Sequence, residues 1–89
     1  MGMKKLVEVE TIDGEGLMAL LGERVTLFCA IYIYTGKLIG VNDTFVKLED
    51  ASVVYETGPY TDKVWKDAQK LPNDWYVQIG MIESFGTLK

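Results

Sequence analysis

Residues 25–56, VTLFCAIYIYTGKLIGVNDTFVKLEDASVVYE, read as three β-strands folded back on one another by two short turns. The first part, VTLFCAIYIY, is rich in β-branched and aromatic side chains, which suit a pleated, packed surface better than a helix. Successive side chains of a strand point to opposite faces. Val25, Leu27, Cys29, Ile31 and Ile33 therefore share one face, and Thr26, Phe28, Ala30, Tyr32 and Tyr34 the other. The first set is expected to be core. The second is too aromatic to be left to water, and either a helix of the same chain or a neighbouring subunit is expected to cover it. Thr35-Gly36 is the expected first reversal, since glycine tolerates the positive φ of hairpin turns, and residues 37–41 run back as the second strand. Asn42-Asp43 signals the second turn, because both side chains bond to local backbone. In the third run, residues 44–56, the apolar phase shifts around Glu49, Asp50 and Ala51. A bulge or bend there would let one long strand serve two parts of a curved sheet.

Working outward, Leu17, Leu20 and Leu21 share a helical face ahead of Gly22, which predicts a short helix too marginal to stand without a surface to pack on. Before it, residues 6–11, LVEVET, alternate as a half-exposed strand or an extended arm. Met1-Gly2 reads as a remnant ahead of a native Met3, so the domain is taken as residues 3–89. Beyond the meander, Gly58-Pro59 ends the long strand. Residues 60–74 place Val64, Ala68 and Leu71 at i, i+4 and i+7, which fits a short amphipathic helix; an irregular excursion is the rival. WYVQIG, residues 75–80, predicts a fourth strand and IESF, residues 82–85, a short fifth, with Gly80-Met81 turning the chain between them.

Composition narrows the function classes. A chain of 89 residues supports a single core, and nothing approaches the apolar run of a membrane span. No apolar leader follows the start, so cytoplasmic residence is expected. The lone Cys29, mid-strand on the expected core face, is read as an inert buried thiol. With no histidine the commonest general base and transition-metal ligand are missing, and no GxxxxGK or GxSxG pattern occurs. A non-enzyme without cofactor or metal is expected. Thirteen acidic against nine basic residues give a net charge of -4. Binding driven mainly by phosphate neutralisation is thereby disfavoured, so any nucleic-acid binding must lean on stacking and backbone contacts.

The order of helix, three-strand meander with a long bent third strand, variable connection and two short strands joined at a glycine resembles the Sm-like proteins, the group of Sm, LSm and Hfq. Gly36, Gly40, Asp43, Leu48 and Ala51 look like the positions of that family's first motif, and VQIGMIESF, residues 77–85, stands for the second. The DTF turn at Asp43, Thr44 and Phe45 is similar to the Asp-x-aromatic turn of the Hfq branch. The chain also looks like a group of small Sm-like proteins of bacterial and phage genomes. The resemblance implies a mainly β fold: a small five-stranded, strongly bent antiparallel barrel of SH3 type, with the short N-terminal helix and a helical or irregular insertion between strands three and four. It further implies a closed ring of about five to seven identical subunits, the fourth strand of one pairing with the fifth of the next. Single-stranded RNA, or DNA, is the implied ligand near the pore, with a role in its processing. Asn42, Asp43, Phe45, Lys47 and Gln78 are the implied nucleic-acid-binding residues. Lys47 stands where Sm proteins carry Asn, and Gln78-Ile79 replaces an Arg-Gly pair.

Other roles compete for the same residues. Phe45 is a stacking candidate or packs back onto its own barrel. Asn42 and Asp43 are also ordinary turn formers. Trp65, Trp75 and Tyr76 are expected to cover the barrel or a subunit contact. Tyr32 and Tyr34 line either intersubunit packing or a second binding face. The alternative function is a non-catalytic scaffolding ring whose partners are proteins.

Overall fold

The computed structural model describes residues 16–89. The expected strand or arm at residues 6–11 and the remnant at residues 1–2 lie outside the described residues. Among the described residues six antiparallel strands form one sheet: β1 (Arg24–Cys29), β2 (Ile33–Val41), β3 (Phe45–Glu56), β4 (Asp67–Lys70), β5 (Trp75–Gln78) and β6 (Ile82–Gly86). Neighbours run β4-β3-β2-β1-β6, and β5 pairs with the front of β3. This is a mainly β fold with an open sheet. Among the described residues the ladder does not close into the expected barrel, because β5 pairs with β3 and β6 with β1 while no pairing joins β5 to β6. Among the described residues no helix is long and apolar enough to cross a membrane.

The first reversal lies earlier than Thr35-Gly36. β1 ends at Cys29 and the chain turns through Ala30, Ile31 and Tyr32, with the Cys29 N–H donating to the Tyr32 carbonyl at 3.0 Å. No positive φ is used in this turn. Ile31, expected in the core, is consequently at its tip and 74% exposed. Thr35 and Gly36 are instead mid-strand, paired with Thr26 and Val25, and the Thr35 hydroxyl donates to the Val25 carbonyl at 2.9 Å. Glycine at position 36 answers crowding. A Cβ there would stand 3.1 Å from Ala51 Cα, 3.1 Å from Leu48 Cβ and 3.2 Å from Glu49 O.

That close approach coincides with the bend expected near Glu49. Thr35 faces Ser52 and Lys37 faces Glu49, so Asp50 and Ala51 together oppose Gly36 alone, which is a bulge on β3. Asp50 takes φ 53, a left-handed conformation that Asp tolerates better than most residues. Its carboxylate accepts from Arg24 Nη1 at 3.1 Å and from Lys70 Nζ at 2.8 Å, while Arg24 Nη2 donates to the Asp50 carbonyl at 3.2 Å. The bulge is thus tied to the start of β1 and the end of β4. Lys70 first, then Arg24, hold the Asp50 carboxyl below its ordinary range.

On either side of the bulge β3 has different partners. Phe45 to Leu48 pair with β5, and Ser52 to Glu56 with β4. Strand β4 replaces the helix expected from Val64, Ala68 and Leu71. The back edge of β3 offers a ladder that a short, isolated helix cannot match, and the whole of β4 is exposed apart from that pairing. Residues 57–66 are the irregular excursion. The helix expected near Leu17 is a single 3-10 turn, Leu17–Leu20, whose Leu17 and Leu20 pack on the core. The core is Val25, Leu27, Leu38, Val46, Leu48, Ala51 and Val77.

Two outcomes follow. Glycine in a strand costs about 0.5–1 kcal/mol against alanine, whereas overpacking a tight crossing costs about 1–3 kcal/mol. Two of the three crowding atoms are backbone and cannot rotate away, so Gly36→Ala is expected to lower stability in urea unfolding rather than raise it. A carboxyl with a depressed folded pKa adds stability above its ordinary value, and that stability is lost as pH falls through the folded one. Asp50→Asn keeps the tolerance for positive φ but not the charge. It is expected to melt below wild type at neutral pH, with the gap closing as pH drops below 3.8, the ordinary carboxyl value.

Candidate functional site

Strand register gathers the site. Phe45 faces Gln78, Val46 faces Val77, Lys47 faces Tyr76 and Leu48 faces Trp75. Directly opposed residues share a face of the sheet. Val46, Leu48 and Val77 are buried in the core, which leaves Phe45, Lys47, Tyr76 and Gln78 together on the outer face. Phe45 and Tyr76 meet edge to face, with centroids 5.2 Å apart and planes at 87°. The Lys47 ammonium lies 5.4 Å from the Tyr76 centroid and 3.8 Å from Asp74 Oδ2. Tyr76 foremost, and Asp74 more weakly, hold the Lys47 pKa above its ordinary value, so the cation persists throughout the neutral range.

The turn between β2 and β3 borders this face. Asn42 Oδ1 accepts from the N–H groups of Thr44 at 2.7 Å and Phe45 at 2.8 Å, and the Asn42 N–H donates to the Phe45 carbonyl at 3.0 Å. That oxygen is committed to fixing the turn, and with it the position of Phe45, leaving the Nδ2 donors for a ligand. Gly40, Val41, Asn42, Phe45, Lys47 and Tyr76 line a groove of about 250 Å³. This is below the range of about 300–1,000 Å³ usual for small-molecule sites and suits one planar group better than a large cofactor.

Of the five residues expected from sequence, Asn42, Phe45 and Lys47 share this groove. Gln78 lies on the same strand face but borders a second groove. Asp43 is exposed in the turn and lines neither. The second groove, about 310 Å³, is walled by Ile31, Tyr32, Tyr34, Tyr76 and Met81 together with Gln78. Tyr32 and Tyr34 meet edge to face at 6.3 Å there. Cys29 borders the same groove half-buried, and burial first, then Glu83, push its thiol pKa up, favouring the less nucleophilic protonated form.

Tyr76, 55% exposed, stands between the two grooves and belongs to both. From sequence it is expected to cover the barrel or a subunit contact. The signal that finds it is the alternation in WYVQ, which puts Tyr76 on the side of Gln78, away from Val77. Among the described residues β5 and β6 each pair on one side only, so an outer strand edge accompanies the grooves. No protein-family model and no curated protein matches the chain.

Proposed function

We propose that this chain is a single-stranded nucleic-acid-binding protein of the Sm-like kind, taking RNA, or DNA, on the outer face of β3 and β5. The observation that carries the reading is the pairing of half-buried Phe45 with exposed Tyr76, the Lys47 cation beside them, in a groove fixed by the Asn42 turn. An edge-to-face pair leaves ring faces available, and a base stacked on one is held by about 1–3 kcal/mol. Lys47 supplies one phosphate contact and Gln78 and the Asn42 Nδ2 group supply polar ones. Asp43 belongs to the turn rather than to the groove and is given no contact of its own.

Charge decides the character of the binding. The chain carries net -4, and Lys47 is already partnered by Asp74. Affinity therefore rests on stacking, and its dependence on salt is shallow. The ring is part of the same proposal: β5 of one copy pairs with β6 of the next, which would satisfy two outer edges at once.

One observation favours a second reading, a scaffolding ring that binds proteins. The groove of Ile31, Tyr32, Tyr34 and Met81 is apolar and aromatic, the composition of interface cores. Anisotropy titration of short labelled oligo-U, oligo-A and single-stranded DNA separates the two. Wild type is expected to bind at low salt, with Phe45→Ala and Tyr76→Ala each weakening Kd by roughly 5- to 150-fold, the equivalent of about 1–3 kcal/mol. Lys47→Met is expected to flatten the salt slope by about one. Absence of binding by assembled wild type, or indifference to both aromatic substitutions, contradicts the nucleic-acid reading. A monomer by light scattering contradicts the ring.

A further inference from the structure

A second lysine is placed with greater care than Lys47. Lys89 Nζ donates to the carbonyls of Thr57 at 2.8 Å, Pro59 at 2.9 Å and Val64 at 3.0 Å. The same nitrogen lies 4.6 Å from the centroid of the Trp65 ring. An ammonium has three N–H donors and no acceptor, so three converging oxygens match its donors one for one. The aromatic face adds a cation–π attraction. These distances are those of charge-assisted hydrogen bonds.

All four groups come from the connection between β3 and β4, and that connection is built to hold them. Thr57 Oγ1 donates to the Gly58 carbonyl at 2.8 Å, Asp62 N–H to the Pro59 carbonyl at 3.0 Å and Lys66 N–H to the Thr57 carbonyl at 3.4 Å. Between two of the accepting carbonyls stands Gly58 at φ 66, a conformation other residues rarely adopt, and a Cβ there would come within 3.2 Å of Lys66 Cβ. Tyr60 of the same connection packs edge to face on Phe28 of β1, with centroids 6.3 Å apart.

Position in the sheet gives the arrangement a consequence. β4 and β6 are the two ends of the strand order. Residues 57–66 lead into β4, and Lys89 follows β6. The two ends of the strand order, which no ladder joins among the described residues, are thus linked by one ammonium.

We propose that residues 57–66 form a binding site for a primary ammonium group, with a lysine side chain as its ligand, which this chain fills with its own Lys89. Held in the same molecule, Lys89 has a high effective concentration, so the site is closed to free amines in wild type. Removing the charge at position 89 releases the clasp and exposes the cage. A small primary alkylammonium then enters, whereas a quaternary ammonium, which has no N–H to donate, does not satisfy the carbonyls.

The test uses the full chain with ¹⁵N labelling. In wild type the Lys89 ammonium is expected to give a slowly exchanging ¹H–¹⁵N signal, which solvent-exposed lysines do not. Lys89→Met is expected to lower Tm by several degrees and to shift the Trp65 indole resonance. Millimolar n-butylammonium is expected to reverse both changes in the variant and to do nothing to wild type, and tetramethylammonium at the same ionic strength to reverse neither. A fast-exchanging Lys89 ammonium in wild type overturns the proposal without recourse to any variant. So does a variant whose Tm and Trp65 resonance match wild type, or one on which the two cations act alike.

Discussion

The structure depends on one crossing, where β3 passes Gly36 of β2 with no side chain between them. The contact is close because position 36 carries no Cβ, and the two-for-one mismatch of Asp50 and Ala51 against Gly36 gives β3 its bend. A straight twelve-residue strand would present one continuous edge. The bent one presents two, and β5 takes the front while β4 takes the back. Everything of functional interest hangs on that division. The front half sets Phe45 and Lys47 against Tyr76, and the back half delivers the chain into the connection that receives Lys89.

Much of this framework was legible in the residues. Alternation in VTLFC correctly put Val25 and Leu27 inside, and the phase shift around Asp50 correctly announced the bulge. Two misreadings share a cause. Thr35-Gly36 carries a strong local turn signal, and only the three-dimensional neighbour Ala51 reveals that the glycine answers crowding instead. Val64, Ala68 and Leu71 carry a helical spacing, and only the open back edge of β3 reveals why residues 67–70 extend into a strand. Local pattern reports what a segment prefers in isolation, and both segments are governed by partners far away in the chain. The closed barrel failed for the same reason, since closure depends on where the last two strands find their ladders.

The candidate site divides in the same way. Asn42, Phe45 and Lys47 were named through the resemblance to the Sm-like proteins, and the turn at Asn42 brings them to one groove. Tyr76 lies far along the chain and joins them only through the register of β5 on β3. The Lys89 clasp had no sequence signal, because its acceptors are backbone carbonyls, which every residue has. In an acidic chain, two lysines thus end beside aromatic rings, one at a groove and one at a seam.

The crossing of β2 and β3 is open to direct measurement by nuclear Overhauser contacts in the labelled chain. The account predicts cross peaks from the Gly36 α protons to side-chain protons of Leu48 and Ala51, accompanied by cross-strand contacts from Lys47 to Tyr76 and from Val54 to Ala68. Turn contacts between Thr35 and Leu38, with Gly36 at the tip of a hairpin and no cross peak to Ala51, would contradict it.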